Sequence, residues 1–168
     1  MNAAQAMNLS RLLTHTARLF PEHIGLIHGE RRWTWREIEA RVDAMASALQ
    51  QRGLKKGDRI LVHSRNNLQM FESCWVAFRL GCVWVPTNVR LTPPEVAYLG
   101  SSSAAVAMIT EACFAGHVDA VRAASAALKH VIWIGGAAEG GSDYDTLVQQ
   151  HRGRHPAEAT VTADDPLW

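Results

Sequence analysis

Short apolar strands alternate with helical segments along most of this chain, and that alternation constrains the fold more than any other feature. Apolar runs predict strands at Arg59–His63, at CVWVP (82–86), at AAVAMIT (104–110) and at HVIWIG (130–135). Helical patterns separate them, over Leu68–Leu80, from Thr92 onward and over about 112–128. Strands joined through helices by short polar connectors form βαβ units. We therefore predict an α/β fold of layered βαβ units around a mostly parallel sheet, and the wholly apolar run at 82–86 predicts a strand covered on both faces.

The segment before these units predicts a helix, a hairpin and a second helix. NLSRLLTHTARLF (8–20) has helical spacing, and IGLIHGERRWTW (24–35) predicts two strands around a tight turn. Thr34 and Glu37 have the spacing of a capping box at the start of a helix that continues to Gln51, where Gly53 ends it. The glycine-rich tail, 135–163, predicts one further short helix at about 144–150.

Composition excludes several classes of function. Charged residues make up 20% of the chain and the formal net charge is +1, so a nucleic-acid partner is not expected. A membrane span needs about 20 consecutive apolar residues, and the sequence has no such run. The N-terminus lacks the pattern of a secretory signal, and Cys74, Cys82 and Cys113 lie in apolar contexts without metal-type spacing. We expect buried, reduced thiols and a cytoplasmic protein.

The loop GGAAEGGS (135–142) is the nearest approach to a phosphate-binding motif. Gly135, Gly140 and Ser142 fit the pattern G-x-x-x-x-G-K-[ST], but Gly141 stands where the lysine that reaches the phosphates belongs. We interpret the segment as a surface loop, with nucleotide binding as a weaker alternative.

The remaining polar residues do not complete a catalytic or metal site. His151 and His155 are four residues apart, but Gly153 and Pro156 disfavour a helix there and no further ligand completes a set, so we expect surface histidines. The serines at 101–103 predict a helix-ending turn, and Asp58 predicts a turn before a strand. We therefore expect no catalytic residue and no metal ligand within the chain.

Arg90 is the one side chain that suggests ligand binding. It lies in VPTNVRLT (85–92), after the carboxyl end of a predicted strand, where ligands of open α/β sheets gather. From the residues alone a solvated arginine is the favoured interpretation, and ligand binding is the alternative.

The stretch from Trp33 to Thr110 resembles the N-terminal part of the adenylate-forming acyl-CoA synthetases. The resemblance rests on an ordered series: WTW entering a helix rich in small residues, GLKKGDR before a strand, an asparagine near the next helix start, and GCVWVPTNVRLTPPE (81–95). In the last segment Pro86, Asn88 and Arg90 fit the family pattern, as do Leu91, Thr92, Pro93 and Glu95. The resemblance extends from about Leu9 to the end of the chain.

The resemblance implies that residues 1–168 are an incomplete N-terminal subdomain of an AMP-binding ligase. In the family a segment like DDPLW (164–168) leads into a strand and then a Ser/Thr/Gly-rich phosphate-binding loop. The adenine site, the acyl pocket and the catalytic lysine follow later still. Leu167 and Trp168 accordingly predict the first residues of a buried strand, and we expect the chain to end just before the phosphate-binding loop.

The implied parent enzyme joins a fatty or aromatic carboxylic acid to CoA through an acyl-AMP intermediate, using ATP, Mg²⁺ and CoA. Residues 1–168 alone are expected to be inactive and to bind none of these tightly. Arg90 matches a family position at which the loop approaches CoA, so it is the candidate for a CoA phosphate contact. Homo-oligomerisation is a further expectation.

A second hypothesis stays open. The chain could be a self-sufficient small α/β domain, derived from such an enzyme, with a binding or assembly role. Protected sheet edges would favour that hypothesis, and an exposed apolar patch would favour the incomplete subdomain.

Overall fold

The computed structural model describes residues 8–138 and 140–168. The helices are α1 (Ser10–Leu19), α2 (Trp35–Gln51), α3 (Leu68–Leu80), α4 (Pro93–Ser102), α5 (Ala115–Ala124) and α6 (Tyr144–Gln150). The strands are β1 (Ile24–His28), β2 (Arg31–Thr34), β3 (Arg59–His63), β4 (Val83–Pro86), β5 (Ala107–Glu111), β6 (His130–Ile134) and β7 (Ser142–Asp143). A 3₁₀ turn, Ala112–Phe114, precedes α5.

The strands from β3 onward form one parallel sheet in the order β4-β3-β5-β6-β7. The strands β1 and β2 pair separately as an antiparallel hairpin, and Gly29 turns between them with φ +59°. A positive φ costs glycine no steric strain, which suits this tight turn. The predicted α/β fold and mostly parallel sheet are confirmed.

Helices cover the sheet on both faces because successive side chains of a strand point to opposite sides. Ile60 and Val62 pack in one cluster with buried residues of α2, α3 and α6. Leu61 and Met108 pack in a second cluster with residues of α4 and α5. The apolar run of β3 therefore serves two cores at once.

The ends of α2 and α3 are capped by the residues that the sequence predicts. Thr34 N donates to Glu37 Oε2 at 2.7 Å and Glu37 N donates to Thr34 Oγ1 at 3.2 Å, so the capping box of α2 forms as predicted. The α3 helix ends at Gly81, whose φ of +65° is left-handed. Gly53 follows the end of α2 with φ +91°.

Two predicted features are wrong in detail, and one strand was not predicted. The helix predicted over about 112–128 ends at Ala124, because the next residue is extended and Ser125 Oγ accepts a hydrogen bond from Ala127 N at 3.3 Å, a local alternative to the helix. The β4 strand lies at the sheet edge, so Val85 is only half-buried and Pro86 is exposed. The two-residue strand β7 carries no apolar run that would have predicted it.

The tail segment, defined as residues 151–168, returns across the helices to the open edge of the sheet. Gln50 exchanges two hydrogen bonds with the backbone of Ala157, at 2.9 and 3.1 Å. Further along, Trp84 N of β4 donates to Leu167 O at 3.0 Å. Leu167 is half-buried and Trp168 is 77% exposed, and neither residue has strand structure, so the buried strand predicted to begin here is not formed in the described residues.

Candidate functional site at the carboxyl edge of the sheet

The carboxyl ends of the parallel strands define one edge of the molecule, called here the carboxyl edge. His63 ends β3 and Glu111 ends β5, while the loop that follows β4 begins at Thr87. Ligands of open α/β sheets bind outside this edge. The polar side chains gathered there are therefore the candidate functional residues.

Glu111 connects the ends of β3 and β5 through a dense set of hydrogen bonds. Arg65 donates to it from the backbone N at 2.8 Å and from Nε at 3.0 Å, and its Nη2 also contacts Oε2. Ser64 Oγ donates at 3.1 Å. Burial by itself raises the pKa of Glu111, but the hydrogen bonds from Arg65 and Ser64 outweigh it and hold that pKa below its ordinary value. The carboxylate therefore stays ionised and fixes the segment after β3.

His63 is fully buried in an aromatic cluster beside this pair. Its ring lies 4.5 Å from the ring of Phe114 and 4.5 Å from that of His117, measured between centroids. His63 Nδ1 lies 2.7 Å from Thr87 Oγ1. Burial, and next the positive charge that His117 can carry, lower the pKa of His63 to about 4, while Glu111 opposes the shift. The imidazole is therefore neutral at physiological pH.

Arg90 lies in the loop between Thr87 and Leu91, which is fixed along its length. Arg90 N donates to Asn88 Oδ1 at 2.9 Å and Leu91 N donates to Asn88 O at 3.0 Å. His117 Nε2 lies 2.9 Å from Leu91 O. The Arg90 side chain is exposed and has no hydrogen bond or ion pair with any residue in 8–138 or 140–168. A fixed backbone thus presents an unpaired cation at the carboxyl edge.

The glycine-rich loop after β6 uses its polar groups internally. Gly136 N donates to Asp143 Oδ2 at 2.9 Å, and Gly140 O accepts from Arg122 Nη2 at 2.8 Å. A phosphate cradle needs free amides, and here a carboxylate already occupies one of them. Glu139 of this loop lies outside the described residues. The geometry of the described part argues against the nucleotide-binding alternative.

The histidines are not all on the surface as predicted. His151 is buried, with Nδ1 3.0 Å from Leu147 O and Nε2 3.2 Å from Gln51 Oε1, so packing between α6 and α2 overrides its polarity. His155 is exposed and contacts Asp43 Oδ2 at 2.5 Å. Over the described ranges, no three His, Cys, Asp or Glu side chains are placed to hold a metal ion.

Two ion clusters that the sequence analysis did not anticipate join α2 to the neighbouring helices. Arg79 donates to Glu39 and Asp43 between α3 and α2. Arg41 donates to the fully buried Glu72 and to Asp145, which joins α2, α3 and α6. They connect neighbouring helices through buried or half-buried side chains, so we assign them to the assembly of the helical layer.

The cysteines differ in exposure. Cys82 is buried and Cys74 half-buried, but Cys113 is exposed because it lies in the 3₁₀ turn outside the sheet, so the prediction of three buried thiols is wrong there. All three are free.

In the described part of the chain, no helix has the length and apolarity needed to cross a membrane.

The residues that the sequence analysis missed at this edge are His63, Arg65, Glu111 and His117. The first three sit at or just after the end of an apolar strand, which is the one signal that could have identified them. His117 gave no such signal, because a turn and a helix bring it back over β3. Asp58, in contrast, behaves as predicted: its Oδ2 accepts from Lys55 N at 3.0 Å in the turn before β3. The helix end predicted at 101–103 is also confirmed, with α4 ending at Ser102.

The comparisons with known proteins agree with one another on the family that this chain resembles. A family model described as AMP-binding enzyme matches residues 13–168. The 3-oxocholest-4-en-26-oate–CoA ligase of Rhodococcus rhodochrous is 28% identical over 140 residues, covering 83% of this chain and 24% of its own length. The 2-succinylbenzoate–CoA ligase of Bacillus pumilus is 32% identical over 103 residues, covering 61% of this chain and 21% of its own length.

A solved structure agrees with these relatives. The fatty acyl CoA synthetase of Mycobacterium tuberculosis superposes with a TM-score of 0.82 at 26% identity, over 96% of this chain and 32% of that one. This chain therefore spans about a quarter of the length of the curated relatives it matches.

Proposed function

This chain belongs to the AMP-binding enzyme family, and from that membership we propose that it is the N-terminal part of an ATP-dependent acid–CoA ligase. In the proposed reaction a carboxylate oxygen attacks the α-phosphorus of ATP, and pyrophosphate leaves. The CoA thiol, losing its proton, then attacks the acyl carbon of the acyl-AMP, and AMP leaves as the thioester forms. The observation that carries the proposal is the family match over residues 13–168, together with relatives that are named CoA ligases.

The substrate is proposed as a fatty or aromatic carboxylic acid. The relatives carry names for a steroid acid and an aromatic acid, and the solved structure is named for fatty acyl groups. These acids share a carboxylate on a large apolar body.

Residues 1–168 are proposed to form an incomplete N-terminal subdomain that ends before the phosphate-binding loop. Support comes from the share of the relatives that the chain spans, about a quarter. The residues present do not fit ATP or Mg²⁺: the described residues bring no metal-type cluster together, the Asp143 carboxylate engages the amide of Gly136, and the Arg122 guanidinium engages the carbonyl of Gly140. We therefore assign ATP and Mg²⁺ binding to the parent protein and expect residues 1–168 alone to be inactive.

Arg90 is proposed to contact a phosphate of CoA. Its guanidinium is exposed and free of partners in the described residues, and its backbone is held by Asn88. A guanidinium suits phosphate because its planar donors can bind two oxygens at once.

The CoA contact predicts a specific kinetic change. In the parent enzyme, Arg90→Ala should raise the KM for CoA by about tenfold to a hundredfold, the range expected for a lost charge-assisted hydrogen bond. The KM values for ATP and for the acid should stay unchanged. Arg32→Ala, an exposed arginine on the separate β1–β2 hairpin, is the matched control. An unchanged KM for CoA in Arg90→Ala would contradict the contact.

The proposed ligase activity is tested on the protein encoded by the complete reading frame of the source gene. The purified product is incubated with ATP, Mg²⁺, CoA and a panel of fatty, steroid-side-chain and aromatic acids, and AMP release is measured. We expect AMP only when acid is present, and none from residues 1–168. If the protein encoded by the complete reading frame forms no AMP with any acid, the proposed ligase activity is rejected.

A cytoplasmic location and homo-oligomerisation belong to the same proposal. The free thiols of Cys74, Cys82 and Cys113 suit a reducing compartment.

The alternative is a self-sufficient binding or assembly domain, and exposed apolar side chains favour the incomplete subdomain over it. Large apolar residues of α1, the following turn and β1 are about half exposed: Leu12, Leu19, Phe20, Ile24 and Ile27. Sedimentation of residues 1–168 distinguishes the two, because a self-sufficient domain should give a single stable species, whereas an incomplete subdomain should self-associate as its concentration rises.

A further inference from the structure

We infer that His63 and His117, held in opposite tautomers, clamp the loop that carries Arg90 from both of its ends. The inference concerns this chain's own hydrogen bonds. It rests on the proposed function only in its consequence, which is the placement of Arg90 for CoA.

The first end of the clamp is the contact between His63 and Thr87. Thr87 Oγ1 lies 3.1 Å from Val62 O and 2.7 Å from His63 Nδ1. A hydroxyl has one hydrogen, and a carbonyl oxygen can only accept. If Thr87 donates to Val62 O, its oxygen must accept from His63, so Nδ1 carries the proton.

The surroundings of the other ring nitrogen favour the same tautomer. His63 is fully buried, and its Nε2 has no hydrogen-bond partner among the described residues. An orphan N–H in an apolar site costs more than an orphan lone pair, and buried N–H groups without a partner are rare. Leaving Nε2 unprotonated is therefore the cheaper arrangement.

The second end of the clamp is the contact between His117 and Leu91. His117 Nε2 lies 2.9 Å from Leu91 O, which is again a pure acceptor. Nε2 must therefore carry a proton, and in a neutral ring Nδ1 is then bare. His117 thus has the tautomer opposite to that of His63.

The two rings also hold each other. They stack at 4.5 Å between centroids with an interplanar angle of 29°, and Phe114 packs edge-on against both. Two imidazolium charges at this separation would repel, and Glu111, whose charge acts on His63, is already engaged by Arg65. The stack therefore disfavours charging both rings at once and fixes their orientation.

The clamp acts on the short loop from Thr87 to Leu91. His63 at the end of β3 holds the first residue of that loop, and His117 on α5 holds the last. Arg90 lies between them with its side chain free. Fixing the backbone before a ligand arrives removes part of the ordering entropy that binding would otherwise oppose. His63 and His117 are thus positioning residues for Arg90.

The first test reads the tautomers directly. Long-range ¹H–¹⁵N spectra of residues 1–168 at pH 7 should show a protonated Nδ1 for His63 and a protonated Nε2 for His117. A protonated Nε2 in His63 overturns the inference. This measurement needs no variant, so it stands even where a substitution prevents folding.

The second test removes one end of the clamp. Thr87→Val keeps the side-chain shape and loses the hydroxyl, and Thr87→Ser restores it. Backbone ¹⁵N order parameters of residues 88–91 should fall from about 0.85 to below about 0.6 in Thr87→Val and recover in Thr87→Ser. Ser102→Ala is the matched control, because among the described residues Ser102 Oγ bonds only to Leu99 O on its own helix. Order parameters that stay high in Thr87→Val overturn the clamp.

Both readouts are made without CoA, so they are independent of the proposed CoA contact. If both clamp tests succeed but the KM for CoA is unchanged in Arg90→Ala of the parent enzyme, the CoA contact alone is rejected. If the tautomers differ from those expected but the KM for CoA is raised in Arg90→Ala, the clamp alone is rejected.

Discussion

A histidine side chain with no access to water ends β3, the strand between β4 and β5 in the sheet. His63 is 0% exposed, and burial holds its pKa at about 4, below the ordinary value of 6.5. In the unfolded chain the same ring takes up a proton between pH 6.5 and 4, while the folded ring does not. The unfolded state then binds more protons, so the free energy of unfolding rises with pH across this window and is lost as pH falls through it.

This linkage predicts a measurable pH effect at one residue. Between pH 7 and pH 5 the folded chain should lose about 2 kcal/mol of stability through His63 alone. His63→Asn keeps a donor near the Nδ1 position and removes the titration, so its stability should fall less over the same interval. Urea unfolding of both proteins at the two pH values measures the difference. Equal losses would contradict the buried, neutral ring.

Helices α4 and α5 pack closely against each other at Gly100 of α4. A Cβ at Gly100 would lie 2.7 Å from Val121 Cγ1 and 3.4 Å from Leu61 Cδ2. Gly116, on α5, faces open space, and a Cβ there would have no neighbour within 4 Å. The same substitution therefore has opposite consequences on two neighbouring helices.

Gly100→Ala should lower the free energy of unfolding by about 1 to 3 kcal/mol through overpacking. Gly116→Ala should raise it by about 0.5 to 1 kcal/mol, because alanine favours the helix and meets no obstacle. Chemical denaturation of both variants gives the comparison. If Gly100→Ala stabilised the chain as Gly116→Ala does, the close packing of α4 on α5 would be wrong.

The tail segment joins distant parts of the whole molecule. Glu158 pairs with Arg11 of α1, and Asp165 pairs with Lys56 before β3. Val161 and Leu167 line a cavity of about 190 Å³ together with Cys82, which is only 1% exposed. Burial, with a smaller contribution from Asp58, raises the pKa of the Cys82 thiol to about 12.

Removing residues 159–168 should therefore expose the Cys82 thiol and make it reactive. In the intact chain, alkylation at pH 8 should label Cys113 rapidly and leave Cys82 unlabelled, since reactivity follows exposure and the thiolate fraction. Peptide mapping by mass spectrometry identifies the labelled residue. Arg11→Ala, which removes only an exposed ion pair, is the control and should leave Cys82 protected. Protection of Cys82 in the shortened chain would show that the tail does not cover it.

Periodicity and end signals made much of the fold predictable from the sequence. The strand Arg59–His63 and the helices Trp35–Gln51 and Leu68–Leu80 have the predicted bounds, since each combines an apolar pattern with a local cap, turn or glycine. The ordered motif from Gly81 to Glu95 also indicated the family, and the family match agrees with it. These features depend on residues close together in the chain, so the sequence alone determined them.

The candidate site depended on contacts that span the chain. His63 meets Thr87 and His117, and Glu111 meets Arg65, across 24 to 54 residues of intervening sequence. No local pattern encodes those pairings, because the order of the strands in the sheet decides which ends become neighbours. Burial is decided in the same way: His151 was predicted at the surface but is buried between α6 and α2, and His63 is buried beneath Phe114 and His117. The sequence thus determined the elements and the family, and the tertiary structure decided which polar side chains meet and which lose contact with water.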